Sequence, residues 1–179
     1  MVAKLKKEYD VELEWKPFYL RPDTPPEGME LPDYVKRAQE SGANVRLMEM
    51  AAANDLAFVS VNRLYNTRLA HEATAYALEN GKGIEFHRII FDKVYGQGQD
   101  ISKWEILVQA AQEAGLNASE MQTLVESGKY TQAVSDEVRL ASQIGVTGVP
   151  TYVINDRYAI VGAQPIEAFK NALGKMLKS

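Results

Sequence analysis

Cysteine is absent from all 179 residues, which excludes disulfides, thiolate metal sites and a cysteine nucleophile together. Histidine is almost as scarce. His71 and His87 are the only two, and their spacing does not match the His-x-x-x-His of a metal site, so neither a metal nor a cofactor is expected. No stretch reaches the roughly 18 apolar residues that would span a bilayer. There is no basic excess either: 20 Lys and Arg against 24 Asp and Glu leave a net charge of −4, with both signs spread along the chain. Such a surface does not recruit phosphate backbones or anionic lipid, so no nucleic-acid or membrane partner is expected. The apolar stretch within Met1–Tyr9 is too short for a signal peptide and lacks a cleavage site, which makes a cytoplasmic location the expectation.

What is present suffices for a packed core. The chain is 46% hydrophobic and 25% charged, the composition of a globular domain, with a length that fits one domain or one domain carrying an insertion. Val11-Glu12-Leu13-Glu14-Trp15 alternates apolar and charged residues, which predicts a half-buried strand over 11–18. Val2 to Tyr9 reads as the tail of a helix with basic residues near its C-terminal end. The chain therefore opens in mid-element, and residues preceding Met1 are expected. Arg21-Pro22-Asp23-Thr24-Pro25-Pro26-Glu27-Gly28 reads as a surface loop, because three prolines in eight residues preclude regular structure.

From Pro32 to about Glu126 the apolar spacing is helical, over 33–42, 43–54, 67–81, 84–95, 102–115 and 118–128. Ser102-Lys103-Trp104-Glu105 and Asn117-Ala118-Ser119-Glu120 offer capping boxes, and Gly81, Gly115 and Gly128 sit where helix ends belong. A further helix, Tyr130 to Ile144, closes at Gly145. The period then changes: Thr151–Ile154, a turn at Asn155-Asp156-Arg157, and Tyr158–Val161 predict a β-hairpin. A last helix has Pro165 in its first turn and an apolar stripe of Ile166, Phe169, Leu173, Met176 and Leu177. Elements mixed in this way predict a small sheet with a helical insertion.

The stretch Gly145-Val146-Thr147-Gly148-Val149-Pro150-Thr151-Tyr152-Val153-Ile154 admits two readings. In one, a helix C-cap leads through a loop to a strand whose first residue is proline, where no ladder donor is needed. In the other, the string resembles the cis-proline loop of thioredoxin-like proteins of the DsbA family. Ala141–Val146 before it, Tyr158–Pro165 after it, and Glu14–Leu20 and Asn66–His71 upstream resemble the FrnE-like branch of that family.

The resemblance implies an α/β, thioredoxin-like fold with an inserted helical subdomain. The divisions are 1–31 and 129–179 for the thioredoxin-like part and 32–128 for the insertion. It implies thiol–disulfide oxidoreductase activity on a protein thiol or disulfide. In the cis-proline loop, Val149 would dock substrate through its backbone, Pro150 would shape the loop and Thr151 would support it. The family's Cys-x-x-Cys, or a serine variant, ends the first core strand. This sequence has neither that strand nor the motif, about 25–30 residues short of the family pattern, and no catalytic residue is assigned. A truncated start is expected, and a homodimer covering the open sheet edge is a further expectation. Two alternatives remain: a glutathione-using transferase or isomerase of the same fold binding a glutathione-like thiol, or a non-catalytic peptide-binding module.

Weaker signals are read blandly. His71 and His87 are surface or core residues, although the resemblance also allows His71 to face the active-site groove. Gly96-Gln97-Gly98 follows a helix and is a flexible connection. Trp15, Phe18, Tyr19 and Trp104 are core or interface residues, and Ser60 and Ser102 lack a base for nucleophilic catalysis.

Overall fold

Residues with apolar side chains at three- and four-residue spacing dominate the chain, and helices follow. The computed structural model describes residues 2–176. In order, the elements are α1 (Val2–Glu8), β1 (Met29–Glu30), α2 (Asp33–Glu40), α3 (Ala43–Ala52), β2 (Arg63–Leu64), α4 (Arg68–Glu79), α5 (Gly83–Phe91) running into a π-helical turn (Asp92–Gly96), α6 (Trp104–Glu113), α7 (Ala118–Glu126), α8 (Thr131–Gln143), β3 (Thr151–Ile154), β4 (Tyr158–Val161) and α9 (Ile166–Met176). They divide into two compact units: 1–20 with 136–179, and 21–135.

In the larger unit α4, α5, α6 and α7 surround a core of Ala73, Tyr76, Ala77, Phe86, Ile90, Leu107, Ala110, Ala111, Met121 and Val125, all buried. The fully buried alanines on α4 and α6 leave no side-chain bulk to hold these helices apart, so large residues such as Phe86, Leu107 and Met121 fill the space between them. The Pro-rich loop forms successive turns and leads into β1, which pairs antiparallel with β2, Met29 opposite Leu64. Gly28 (φ 74°) precedes β1, and a Cβ there would stand 2.5 Å from the Leu64 carbonyl oxygen, so only glycine fits.

Two local expectations are corrected here. Ser102 does not cap α6, because Asp100 Oδ1 accepts both the Ser102 hydroxyl (2.6 Å) and its amide (2.9 Å) in an Asx turn. The pattern over 84–95 does not continue as one α-helix. After Phe91 the chain widens into the π turn, where the Gln97 amide donates to the Asp92 carbonyl at 2.9 Å. Asn117, by contrast, caps α7, its Oδ1 accepting from the Glu120 amide at 3.1 Å.

In the smaller unit β3 and β4 form an antiparallel pair, Thr151 opposite Val161 and Ile154 opposite Tyr158. Asn155 and Asp156 take positive φ in the turn, as short polar residues tolerate. Buried Phe169 of α9 meets the Tyr152 ring edge-on at 4.8 Å, and Lys170 pairs with Glu8 at the end of α1 at 2.6 Å. The strand expected over 11–18 is absent. Its alternation is visible, with Val11 and Leu13 half-buried and Glu12 and Glu14 exposed, but no described segment pairs with it. Alternation reports which side of a chain meets the core, whereas a strand also needs a neighbour for its backbone groups. Lys16 pins this segment through Glu14 (2.6 Å) and Glu137 (2.8 Å).

Candidate functional site

The loop between α8 and β3 is built by its ends. Gly145 adopts φ 82°, and the Gly145 and Val146 amides donate to the carbonyls of Ser142 and Ala141 at 3.1 and 2.9 Å, which terminates α8. At the other end the Gly162 amide donates to the Pro150 carbonyl at 2.8 Å, extending the β3–β4 ladder by one bond. The Thr151 hydroxyl donates to the Gly148 carbonyl at 2.7 Å and ties the loop to the strand. The Val149–Pro150 peptide is cis.

Val149, Pro150 and Thr151 therefore sit together at the start of β3. Val149 is 55% exposed, and among the described residues its backbone N–H and C=O have no partner. A Cβ added at Gly148 would meet nothing within 4 Å. From Gly145 to Thr151 there is no titratable side chain. Such a surface has no group to move a proton or attack a carbon, and it offers one free backbone donor and acceptor beside apolar side chains. What it can do chemically is pair with an extended chain.

Two groups of buried or hydrogen-bonded titratable side chains lie in the larger unit. His71 on α4 has its pKa pushed down to about 4, by burial first and then by the charge of His87. Burial also lowers His87 on α5, so both imidazoles are neutral at pH 7. Glu72 is buried, with Oε1 accepting from Arg68 at 3.0 Å and from the Thr131 hydroxyl at 3.2 Å, while Oε2 has no partner among the described residues. A second polar group spans α4, α7 and the turn before α8. Tyr76 donates to Glu120 at 3.0 Å, Tyr130 donates to Glu79, and Lys129 bonds Glu79 at 3.0 Å while lying 5.1 Å from the Tyr130 ring centre. The Tyr130 bond, followed by that of Lys129, holds Glu79 below the usual carboxylate range. Neither group was visible in the sequence, because each joins residues about forty to sixty positions apart with no fixed spacing. Among the described residues no three His, Asp or Glu side chains are placed to hold a metal, and no helix is long and apolar enough to cross a membrane.

Residues 1–174 match the family of DSBA-like thioredoxin domains. The chain belongs to that family. This DSBA-like domain is 29% identical over 168 residues to YwbO of Bacillus subtilis (strain 168), itself uncharacterised, covering 93% of this chain and 83% of YwbO. Among solved structures it is similar to a probable DsbA oxidoreductase from Streptomyces coelicolor, with a TM-score of 0.79 and 25% identity over 92% of this chain and 74% of that one. It is also similar in fold to a 2-hydroxychromene-2-carboxylate isomerase, with a TM-score of 0.79 and 17% identity over 99% of this chain and 87% of that one. The DSBA-like assignment agrees with a mostly helical chain carrying two small sheets among the described residues.

Proposed function

We propose that this DSBA-like domain captures extended, thiol-bearing chains at the loop before β3, in the manner of the FrnE-like branch of its family and in a cytoplasmic setting. Val149 supplies the backbone pairing, Pro150 the shape and Thr151 the support. The observation that carries the reading is the unpartnered backbone of exposed Val149 beside a ladder-closing Pro150 carbonyl. Thiol–disulfide exchange needs a thiolate to carry the electrons. This sequence has no cysteine, so the reading for these 179 residues is one of binding, and the family's oxidoreductase chemistry requires a thiol from outside them.

Glutathione, a short extended peptide with a thiol, is one form of the same ligand chemistry. Calorimetric titration with reduced glutathione and with a reduced cysteine-containing heptapeptide tests the reading. Saturable binding of either, weakened when Thr151→Val removes the bond to the Gly148 carbonyl, is expected. Unchanged binding in that variant, or none to either probe, overturns it. Insulin reduction by the chain alone is expected to be nil, and turnover would contradict the electron argument.

A further inference from the structure

Helix α5 and the π turn that follows it are apolar on two faces. Phe86, Ile90 and Val94 point into the core of the larger unit, as does the buried stem of Lys93. At spacings of three, four and four residues, Ile84, His87, Phe91 and Tyr95 fall on the opposite side. There Ile84 and Phe91 are each 51% exposed and Tyr95 40%. The rings are in register, with His87 and Phe91 centroids 4.5 Å apart, Phe91 and Tyr95 5.5 Å, and Tyr95 and Phe58 6.3 Å with nearly parallel planes. Leu78, 46% exposed, lies against the first residue of α5. Phe58 stacks on Tyr95 at one end of the stripe, while Ile84 and Phe91 stay half exposed along it.

We infer that this face is covered by the same face of a second copy of the chain, α5 lying antiparallel to its counterpart across a two-fold axis near Phe91. The charges along the stripe choose this occupant. Arg88 stands beside Phe91 on the outer face and has no ion-pair partner among the described residues. Asp92, exposed, follows one turn later on the same flank. In an antiparallel pair each flank meets the same flank of its partner. With the axis near Phe91, Arg88 of each copy then falls within a turn of Asp92 of the other, and two ion pairs close one interface. A stripe carrying both halves of its own complement is self-complementary, which is what an isologous dimer requires. Tyr95 stands opposite His87 of the other copy in the same register, and Phe91 meets its counterpart.

The area is of the right order. Four large side chains about half exposed offer on the order of 350 Å2 of apolar surface per copy, against the roughly 800 Å2 per partner of a standard interface that is a little over half apolar. The polar flanks supply the remainder. This surface belongs to the larger unit and the loop at Val149 to the smaller, so binding there and association here can fail independently.

Sedimentation equilibrium of the full chain tests the inference. A concentration-dependent dimer is expected. Phe91→Asp, at a half-exposed position, should abolish it without loss of the helical circular-dichroism signal. Arg88→Asp and Asp92→Arg should each raise the dimer Kd at least tenfold, and the double swap should restore it to within about threefold. Because Asp92 also accepts from Gln97 at 2.6 Å, Gln97→Ala serves as a control that breaks this bond while keeping the charge, and it should leave the Kd unchanged. A chain monomeric at all concentrations overturns the inference. So does a dimer that survives Phe91→Asp, which would place the contact at another surface such as the free edge of β3.

Discussion

Lys93 is the buried charge whose removal should cost much less than its abandonment. Its side chain is 4% exposed, and its ammonium meets Glu113 of α6 at 2.7 Å, while the Glu113 side chain is 54% exposed. Truncating Glu113 to alanine leaves the ammonium in the core with its only described anionic partner gone. Breaking a fully buried pair in this way costs about 3–5 kcal/mol. Since Glu113 is half in water, which already screens the pair, the expected loss is smaller, about 2 kcal/mol. Lys93→Met keeps the stem's packing against α6, removes the charge that had to be desolvated, and leaves a carboxylate that water can solvate. Its expected cost is within about 1 kcal/mol of zero, with either sign. In a Trp15→Phe background, Trp104 at the start of α6 is the only indole and reports on the larger unit. Urea unfolding followed at Trp104 should show a lowered midpoint for Glu113→Ala, an almost unmoved one for Lys93→Met, and one slope m for all three proteins. If Lys93→Met proves as costly as Glu113→Ala, the pair stabilises by attraction and the desolvation reasoning fails.

His71 supplies a pH dependence whose sign follows from its lowered pKa of about 4. The unfolded chain binds a proton near pH 6.5 and the folded chain does not, so stability is complete above that value and is lost as pH falls from 6.5 towards 4, by on the order of 3 kcal/mol. His71→Gln should flatten this limb, and an imidazole resonance titrating near 6.5 in the folded protein would contradict the burial argument. Asn117→Ala, removing the acceptor for the Glu120 amide, should cost about 1 kcal/mol in thermal or urea unfolding, and Asn117→Asp should recover most of it. A loss below a few tenths for the alanine variant would mean that water replaces the cap.

Elements whose signal is carried within a dozen residues were legible in the sequence. The hairpin at 151–161 follows from two short strand-like runs around Asn155 and Asp156, and the helix ends at Gly81, Gly115, Gly128 and Gly145 from glycine in the left-handed region. The place of the cis Val149–Pro150 bond just before β3 was legible by resemblance. Whatever depends on a distant partner was not. The 11–18 segment carries a strand's alternation without a neighbour for its backbone. Ser102 has the spacing of a cap, yet Asp100, two residues upstream, accepts both its amide and its hydroxyl. Helix α5 shows both of its apolar faces in the sequence, but which of them meets the core depends on α4 and α6. The π turn at 92–96 has no compositional mark.

The central claim, that the loop before β3 binds through its backbone, is tested most directly by amide NMR of the full chain titrated with reduced glutathione. Saturating shifts at Val149 and Thr151, with slowed hydrogen exchange at the Val149 amide, are the expected result. Shifts that leave residues 145–151 unmoved while others saturate would contradict it.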